Sequence, residues 1–194
     1  LEPGILEKII AAGSHAPSYC DSQGWKFIFI DDSAIKEKIF AAGGSYAIKN
    51  APYGILVLYN TASSDNLEYQ DWLQSGAAAI ENMLLTMHDL GLGGCWICHL
   101  PNQRTLRKIF NIPKVYLPVA YIIFGYPKEN PRPVPRRYSV NEILAVNEFI
   151  WPAEKIPVKI YLKRGLKKIY FVLPSRIKKI IMPLTDKLVK KFRN

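Results

Sequence analysis

The sequence predicts an α+β sandwich, a central sheet flanked by helices. Three observations predict it: helical and strand-like patterns alternate, few strands stand out, and one helix-patterned segment is much longer than the rest. A doubly wound sheet would need more strands. With 194 residues, 49% of them hydrophobic, the chain can bury one sizeable core.

The elements follow in order. Ile5, Leu6, Ile9 and Ile10 share one helical face in ILEKIIAAG, and Gly13 supplies a stop. The stretch HAPSYCDSQGW is a loop by composition. KFIFI, Lys26 to Ile30, bounded by Asp31 and Asp32, reads as a buried strand. Ser33 is placed to cap a helix through about Ala42, with Ala34, Ile35, Ile39 and Phe40 inward. YGILVLYN, Tyr53 to Asn60, is a second strand rich in β-branched and aromatic residues. Gln74 to Leu90 is the longest helix, apolar on most sides and therefore expected to be central, with Gly91 and Gly93 ending it. GGCWIC is expected as a loop before Pro101 and a short helix at Gln103 to Phe110. Pro118 to Tyr126 is a third apolar strand, and PKENPRPVPRRYS an extended, basic, proline-rich segment.

Charge divides the chain. Residues 155–194 carry 13 Lys and Arg against one acid, Asp186, a net +12, while residues 1–154 sum to −2. Three cysteines cannot build a disulfide framework, which favours a reducing compartment, and cytoplasm is the expected location. No run of eighteen apolar residues and no export-signal pattern is present.

Cys95-Trp96-Ile97-Cys98-His99 has the C-x-x-C-H spacing of c-type haem attachment. Haem needs a second axial ligand and a wrapped pocket, and neither is visible. A thioredoxin-like thiol needs a strand before it and a helix after, whereas here a helix precedes. Zinc would need Cys20 and His15 as further ligands, at a spacing no known knuckle uses. The plainer reading makes Cys95 and Cys98 small packed residues, and His88 and His99 packing residues too. On that reading Gly91, Gly93 and Gly94 matter more, because they leave backbone N–H groups open to a planar cofactor or a phosphate.

Three motifs stand in order along the chain: Ala16, Pro17, Ser18, Gln23, Trp25 and Phe27, similar to A-P-S-x-x-N-x-Q-P-W-x-F; Gly91 through Ile97, similar to G-L-G-x-C-W-I; and a strand ending in G-Y-P at Gly125 through Pro127. Taken together they resemble the nitroreductase family of FMN-dependent oxidoreductases. The resemblance covers roughly residues 1–145, and it makes the haem spacing accidental.

The resemblance implies a homodimer with FMN at its interface, held partly by the Pro17–Ser18 loop. Ser18 would meet the flavin or its ribityl chain, and Gln23 would brace the loop. Asp21 stands where the family has Asn, and Gly24 where it has Pro; a carboxylate at 21 cannot donate as an amide does and repels a phosphate. The backbone of Gly93, Gly94, Cys95, Trp96 and Ile97 would face the ring edge that gains negative charge on reduction. Arg136 or Arg137 would clamp the phosphate with a guanidinium fork. In the family a further Arg-Ser-x-Arg segment before the first helix also binds phosphate; the resemblance implies either that such a segment precedes Leu1 or that phosphate binding is weaker here. The implied chemistry passes hydride from NADH or NADPH through flavin N5 to a small acceptor such as a nitro compound or a quinone. No side-chain nucleophile is then required, and no metal.

These observations divide the chain into an FMN-binding domain, residues 1–150, and a basic C-terminal extension, residues 151–194. In the extension, Leu166, Ile169, Tyr170, Leu173, Ile177, Ile180, Ile181, Leu184, Leu188 and Phe192 recur at helical spacing between lysines, with Pro174 and Pro183 as breaks. Such segments suit an anionic membrane surface at the inner face of the membrane, or a wrap around the partner subunit. Nucleic acid is not expected, since base-stacking and groove-reading signals are lacking. The alternative function is a flavin-poor scaffold of the same fold serving as a membrane-associated or partner-binding module.

Overall fold

The computed structural model describes residues 1–62, 69–129, 133–152, 157–162 and 165. The chain forms two units, Leu1–Pro131 and Arg132–Asn194.

The first unit is built on a four-stranded antiparallel sheet in the order β1-β2-β4-β3. Its strands are β1 (Trp25–Ile30), β2 (Tyr53–Asn60), β3 (Gly93–Ile97) and β4 (Tyr116–Gly125). Side chains alternate across the pleat, so each strand feeds two cores. On one face Ile55, Val57, Ala120, Ile122 and Phe124 pack with Ile5 and Ile9 of α1 (Ile5–Ser14) and with Ile80, Met83 and Met87 of α4 (Asp71–Asp89). On the other face Ile30, Leu56, Leu58, Ile97 and Tyr121 pack with Ile39 of α2 (Ser33–Ala41), Ile48 of α3 (Tyr46–Asn50) and Leu106 of α5 (Gln103–Phe110). The expected sandwich, helices on both faces of a central sheet, is thus the fold.

Strand β2 is central and buried on both faces, which is why it reads as a continuous apolar run. Pro118 lies inside β4 and cannot donate to a ladder. The register accommodates it by a bulge: Val57 pairs with Ala120 but Leu58 with Pro118, leaving Val119 as the extra residue. Val119 then meets α4 at Gly76, where a Cβ would come within 2.9 Å of it.

Several expectations are corrected. The segment Gly93–Ile97 is an edge strand, not a loop, because β4 supplies its ladder from Gly93–Gly125 to Ile97–Tyr121. Gly91, with φ of 74°, ends the preceding helix, and Gly93 belongs to the strand. The cap of α2 is Asp32, whose carboxylate accepts the Ala34 N–H at 2.7 Å, and Ala34 is exposed. Helix α4 is buried along one stripe, Ser75, Gly76, Ala79, Ile80, Met83 and Met87, while Leu85 is exposed. Burial of a side chain such as Ile80 or Met83 is worth roughly 1.5–3 kcal/mol, so the stripe alone fixes the helix on the sheet.

In the second unit Ser139 starts α6 (Val140–Ile143), and the Glu142 carboxylate accepts from both the Ser139 N–H and its hydroxyl at 2.8 Å. Trp151 Nε1 donates to the Glu142 carbonyl at 2.7 Å and its ring meets Phe149 edge-on. Val146, Phe149 and Ile150 are exposed in the single chain. Most of the basic extension, including every residue of its apolar pattern from Leu166 onward, lies outside the described residues.

Candidate functional site

The loop between α1 and β1 is pinned at both ends. Ala16 and Trp25 are buried around Tyr59 and Ala79, so the motif positions that look least chemical are the anchors. Between them the backbone is bent hard: Cys20, Asp21 and Gln23 all hold positive φ, at 45°, 52° and 44°. Left-handed conformations cost non-glycine residues roughly 1–2 kcal/mol each, and bonds from outside the loop offset that cost. Ser22 Oγ pairs with Tyr59 Oη at 2.8 Å, and the Gly24 carbonyl accepts the Asn60 N–H at 2.8 Å. Gly24 is required here, since a Cβ would strike the Tyr59 ring at 2.7 Å.

Inside the loop, Ser18 Oγ accepts the Gln23 N–H at 3.0 Å, and Gln23 Nε2 donates to Asp21 Oδ1 at 2.8 Å. Asp21 and Gln23 therefore hold each other. The Tyr19 N–H donates to Ser75 Oγ at 3.0 Å, and Ser75 in turn donates to the Asp71 carbonyl at 2.8 Å. Ser75 is buried, so it fastens the loop to the first turns of α4. The result is a cleft of about 310 Å³ lined by Pro17, Ser18, Tyr19, Asp71, Gln74 and Ser75, with Ala78 at its base. The sequence reading missed Asp71, Gln74 and Ser75. The available signal was Ser75 itself, a polar residue in register with the apolar stripe of Ala79, Met83 and Met87.

The second predicted group, Gly93, Gly94, Cys95, Trp96 and Ile97, forms β3 at the edge of the sheet. Gly93, Gly94 and Cys95 are exposed, Trp96 is half-buried and Ile97 is buried. A Cβ at Gly93 would meet nothing nearer than the Gly125 carbonyl at 3.7 Å, so flat access to the backbone is open there. Gly94 is different: a Cβ would lie 2.8 Å from Leu84 Cδ2 and 3.0 Å from Met87 Sδ, so glycine lets α4 close on the strand. Cys95 and Cys98 are free and exposed, not packed, because Cys95 is on the outer strand and Cys98 follows its end. His88 and His99 are also exposed and do not serve as packing residues.

The two groups do not converge within one chain. The loop meets α4 at Ser75 and β3 meets it at Leu84 and Met87, which at 1.5 Å per residue separates them by roughly 14–18 Å along the helix axis. Arg136 and Arg137 belong to the second unit, where both are exposed.

An antiparallel sheet with helices on both faces, a glycine-opened edge strand and a polar cleft beside the longest helix define the class: an α+β sandwich with its candidate site at one helix and one sheet edge. The nitroreductase family profile matches residues 39–126. A protein of Methanothermobacter thermautotrophicus named NADH dehydrogenase/NAD(P)H nitroreductase is 33% identical over 131 residues, 66% of this chain and 68% of that one. A crystal structure of a protein with the same name from Parabacteroides distasonis superposes with a TM-score of 0.67 at 28% identity, covering 77% of this chain and 88% of that one. An FMN-dependent nitroreductase from Clostridium difficile superposes at 0.65 with 27% identity, covering 77% and 90%. The chain belongs to the nitroreductase family, and it is an oxidoreductase enzyme.

Proposed function

We propose that this protein is an FMN-dependent NAD(P)H oxidoreductase working as a homodimer, with residues 1–150 as the catalytic domain and residues 151–194 as an appended extension. The observation that carries the reading is the open backbone at Gly93, at the exposed end of an edge strand. A cofactor ring can lie flat there, where a side chain at that position would hold it off.

The donor set fits FMN in parts. Ser18 and Gln74 offer hydroxyl and amide groups suited to a ribityl chain, and the Gly93–Ile97 edge offers backbone dipoles suited to a ring. Asp71 in the cleft and Asp21 beside it are unsuited to a phosphate, so the phosphate falls to Arg136 or Arg137. The separation of the two groups along α4 supports a dimer in which one subunit's loop faces the other's β3. Exposed Val146, Phe149 and Ile150 supply apolar surface for such an interface.

FMN held by Ser18, Gln74 and the Gly93–Ile97 edge would supply the two-electron chemistry between NADH or NADPH and a small acceptor, a nitro compound or a quinone. The chain's own part is positioning and electrostatics. The Ser75 anchor holds the Ser18 loop, α4 holds β3 in place through Gly94, and backbone N–H dipoles at the strand edge favour the negative charge that reduction creates.

Among the described residues no helix is long and apolar enough to cross a membrane. We place the enzyme in the cytoplasm, with the +12 extension as its contact to an anionic membrane surface.

An absorption spectrum of the purified protein with added FMN, then NADH or NADPH, tests the reading. Flavin bands that bleach on addition of the nucleotide and return with a quinone support it. A colourless protein that leaves FMN fluorescence unchanged overturns it in favour of the flavin-poor module, which the carboxylates Asp21 and Asp71 favour.

A further inference from the structure

A second concave surface of the first unit is built on positive charge. From Leu90 to Lys128 the chain contains no acidic residue. Arg104, Arg107, Lys108 and Lys114 from this stretch line one cleft of about 650 Å³, completed by Asn111 and Ile112. That volume lies within the range of roughly 300–1,000 Å³ typical of small-molecule sites. It shares no lining residue with the Ser18 cleft.

Local geometry gathers the four cations. Arg104, Arg107 and Lys108 stand at i, i+3 and i+4 on one side of α5. Asn111, with φ of 53°, turns the chain back at the helix end so that Lys114 joins them. Arg107 Nη2 donates to the carbonyls of Lys114 at 3.0 Å and Tyr116 at 3.2 Å, tying the turn to the helix. Arg107 keeps a further donor, its buried Nε–H, without a partner. Ile112 is buried and gives the cleft an apolar floor.

The negative end of a helix attracts cations, which accounts for Arg107 and Lys108 in the last turn of α5. It does not account for Arg104, which sits in the first turn where the helix end is positive, nor for Lys114 beyond the helix. Among the described residues the one ion pair joins Lys49 to Glu37, so no described carboxylate pairs with any of the four. Like charges gathered on one surface reinforce one another's field, and a multiply charged anion relieves that repulsion. Guanidinium forks with flanking ammonium groups match phosphate oxygens in geometry and charge.

We propose that this cleft binds a phosphate-bearing ligand, a phosphomonoester or diphosphate group carried by a soluble small molecule or by an anionic lipid headgroup. The site is separate from the flavin surface and does not depend on it.

The test titrates the full chain calorimetrically with inorganic pyrophosphate at fixed ionic strength, with and without saturating FMN. In parallel, it is co-sedimented with phosphatidylcholine vesicles with and without phosphatidic acid. Arg104 and Lys108 are exposed, so Arg104→Glu/Lys108→Glu leaves the core untouched, and Lys114→Glu is a second, independent variant. The expected result is saturable pyrophosphate binding that FMN does not alter and that the double variant weakens about tenfold or more. Binding only to phosphatidic acid vesicles, lost in the double variant, assigns the headgroup as the source and supports the site equally. Three results overturn the proposal: no binding of either probe, displacement of pyrophosphate by FMN, or binding that both variants leave unchanged, which would assign it to cations elsewhere such as those of residues 155–194.

Discussion

The phenol oxygen of Tyr121 fills the space that a Cβ on Gly54 would need. The two residues lie on paired strands, Leu56 opposite Tyr121 and Gly54 opposite Ile123, so the ring leans diagonally across the sheet over the bare glycine. Gly54→Ala is therefore expected to destabilise the protein by about 1–3 kcal/mol through overpacking. Urea unfolding checks this, and a midpoint equal to the parent's would refute it.

The same contact leaves Tyr121 Oη buried without a hydrogen-bond partner, and burial raises the phenol above its ordinary value of 10.0. Tyr121→Phe removes an unmet group that costs about 1–3 kcal/mol, so the variant is expected to unfold at higher urea than the parent. The pH dependence follows the same cause. Above pH 10 the unfolded chain releases a proton that the folded chain retains, so this residue's contribution is present below that pH and is lost as pH rises. Tyr121→Phe should flatten the alkaline fall in stability.

Lys36 is buried, and its Nζ donates to the carbonyls of Ala51 at 2.9 Å and Pro52 at 3.0 Å. Those carbonyls stand at the turn into β2, and Pro52 packs over Gly125 at the end of β4. Lys36→Met keeps the stem and deletes the ammonium, leaving two acceptors unmet. The expected loss is about 1–3 kcal/mol in urea unfolding, with faster amide exchange at the start of β2.

What the sequence made legible follows the physics of each segment. Strand β2 and helix α5 are legible at their observed bounds, because one is a continuous apolar run and the other has turn signals at both ends. Strand β3 carries no strand signal of its own, since its two glycines lack strand propensity and only the ladder to β4 extends them. Helix α3 was missed, being five residues held by a Ser45 cap and by burial of Ile48. Nothing local in the sequence reveals that Lys36 reaches the two carbonyls of Ala51 and Pro52. At the candidate site, the Pro17–Ser18 loop and the glycine-rich segment stand out through the family resemblance alone. The wall contributed by Asp71, Gln74 and Ser75 was not, because it depends on how α4 lies against a loop more than fifty residues earlier.

Glu142 accepts hydrogen bonds from the Ser139 backbone N–H and, next in weight, from its hydroxyl, and both hold the carboxyl below its ordinary value of 4.5. Its charged form is thus favoured in the folded unit. The contribution to α6 is present above the unfolded value and is lost as pH falls through the lower folded one. A carbon-detected NMR titration of Glu142 should give a midpoint below 4.5, and Ser139→Ala should move it upward by removing the hydroxyl donor. An unchanged midpoint in that variant would leave the backbone N–H as the sole cause.

Asp21 is the position where the loop and the proposed cofactor are most at odds. Its φ of 52° is one that asparagine tolerates at least as well as aspartate, and its Oδ1 serves only as an acceptor for Gln23 Nε2. Asp21→Asn keeps that acceptor, removes a negative charge near the cleft and adds a donor pair, so the loop geometry should survive. The expected outcome is FMN binding tightened by about 3- to 10-fold, the range set by removing one unit of like-charge repulsion at partial solvent exposure. Fluorescence titration of FMN with parent and variant measures it, with thermal unfolding of the apoproteins expected to coincide. Equal affinities would mean that Asp21 lies too far from the phosphate for its charge to be felt. Weaker binding in the variant would mean that the carboxylate itself is needed, as an acceptor for a ribityl hydroxyl.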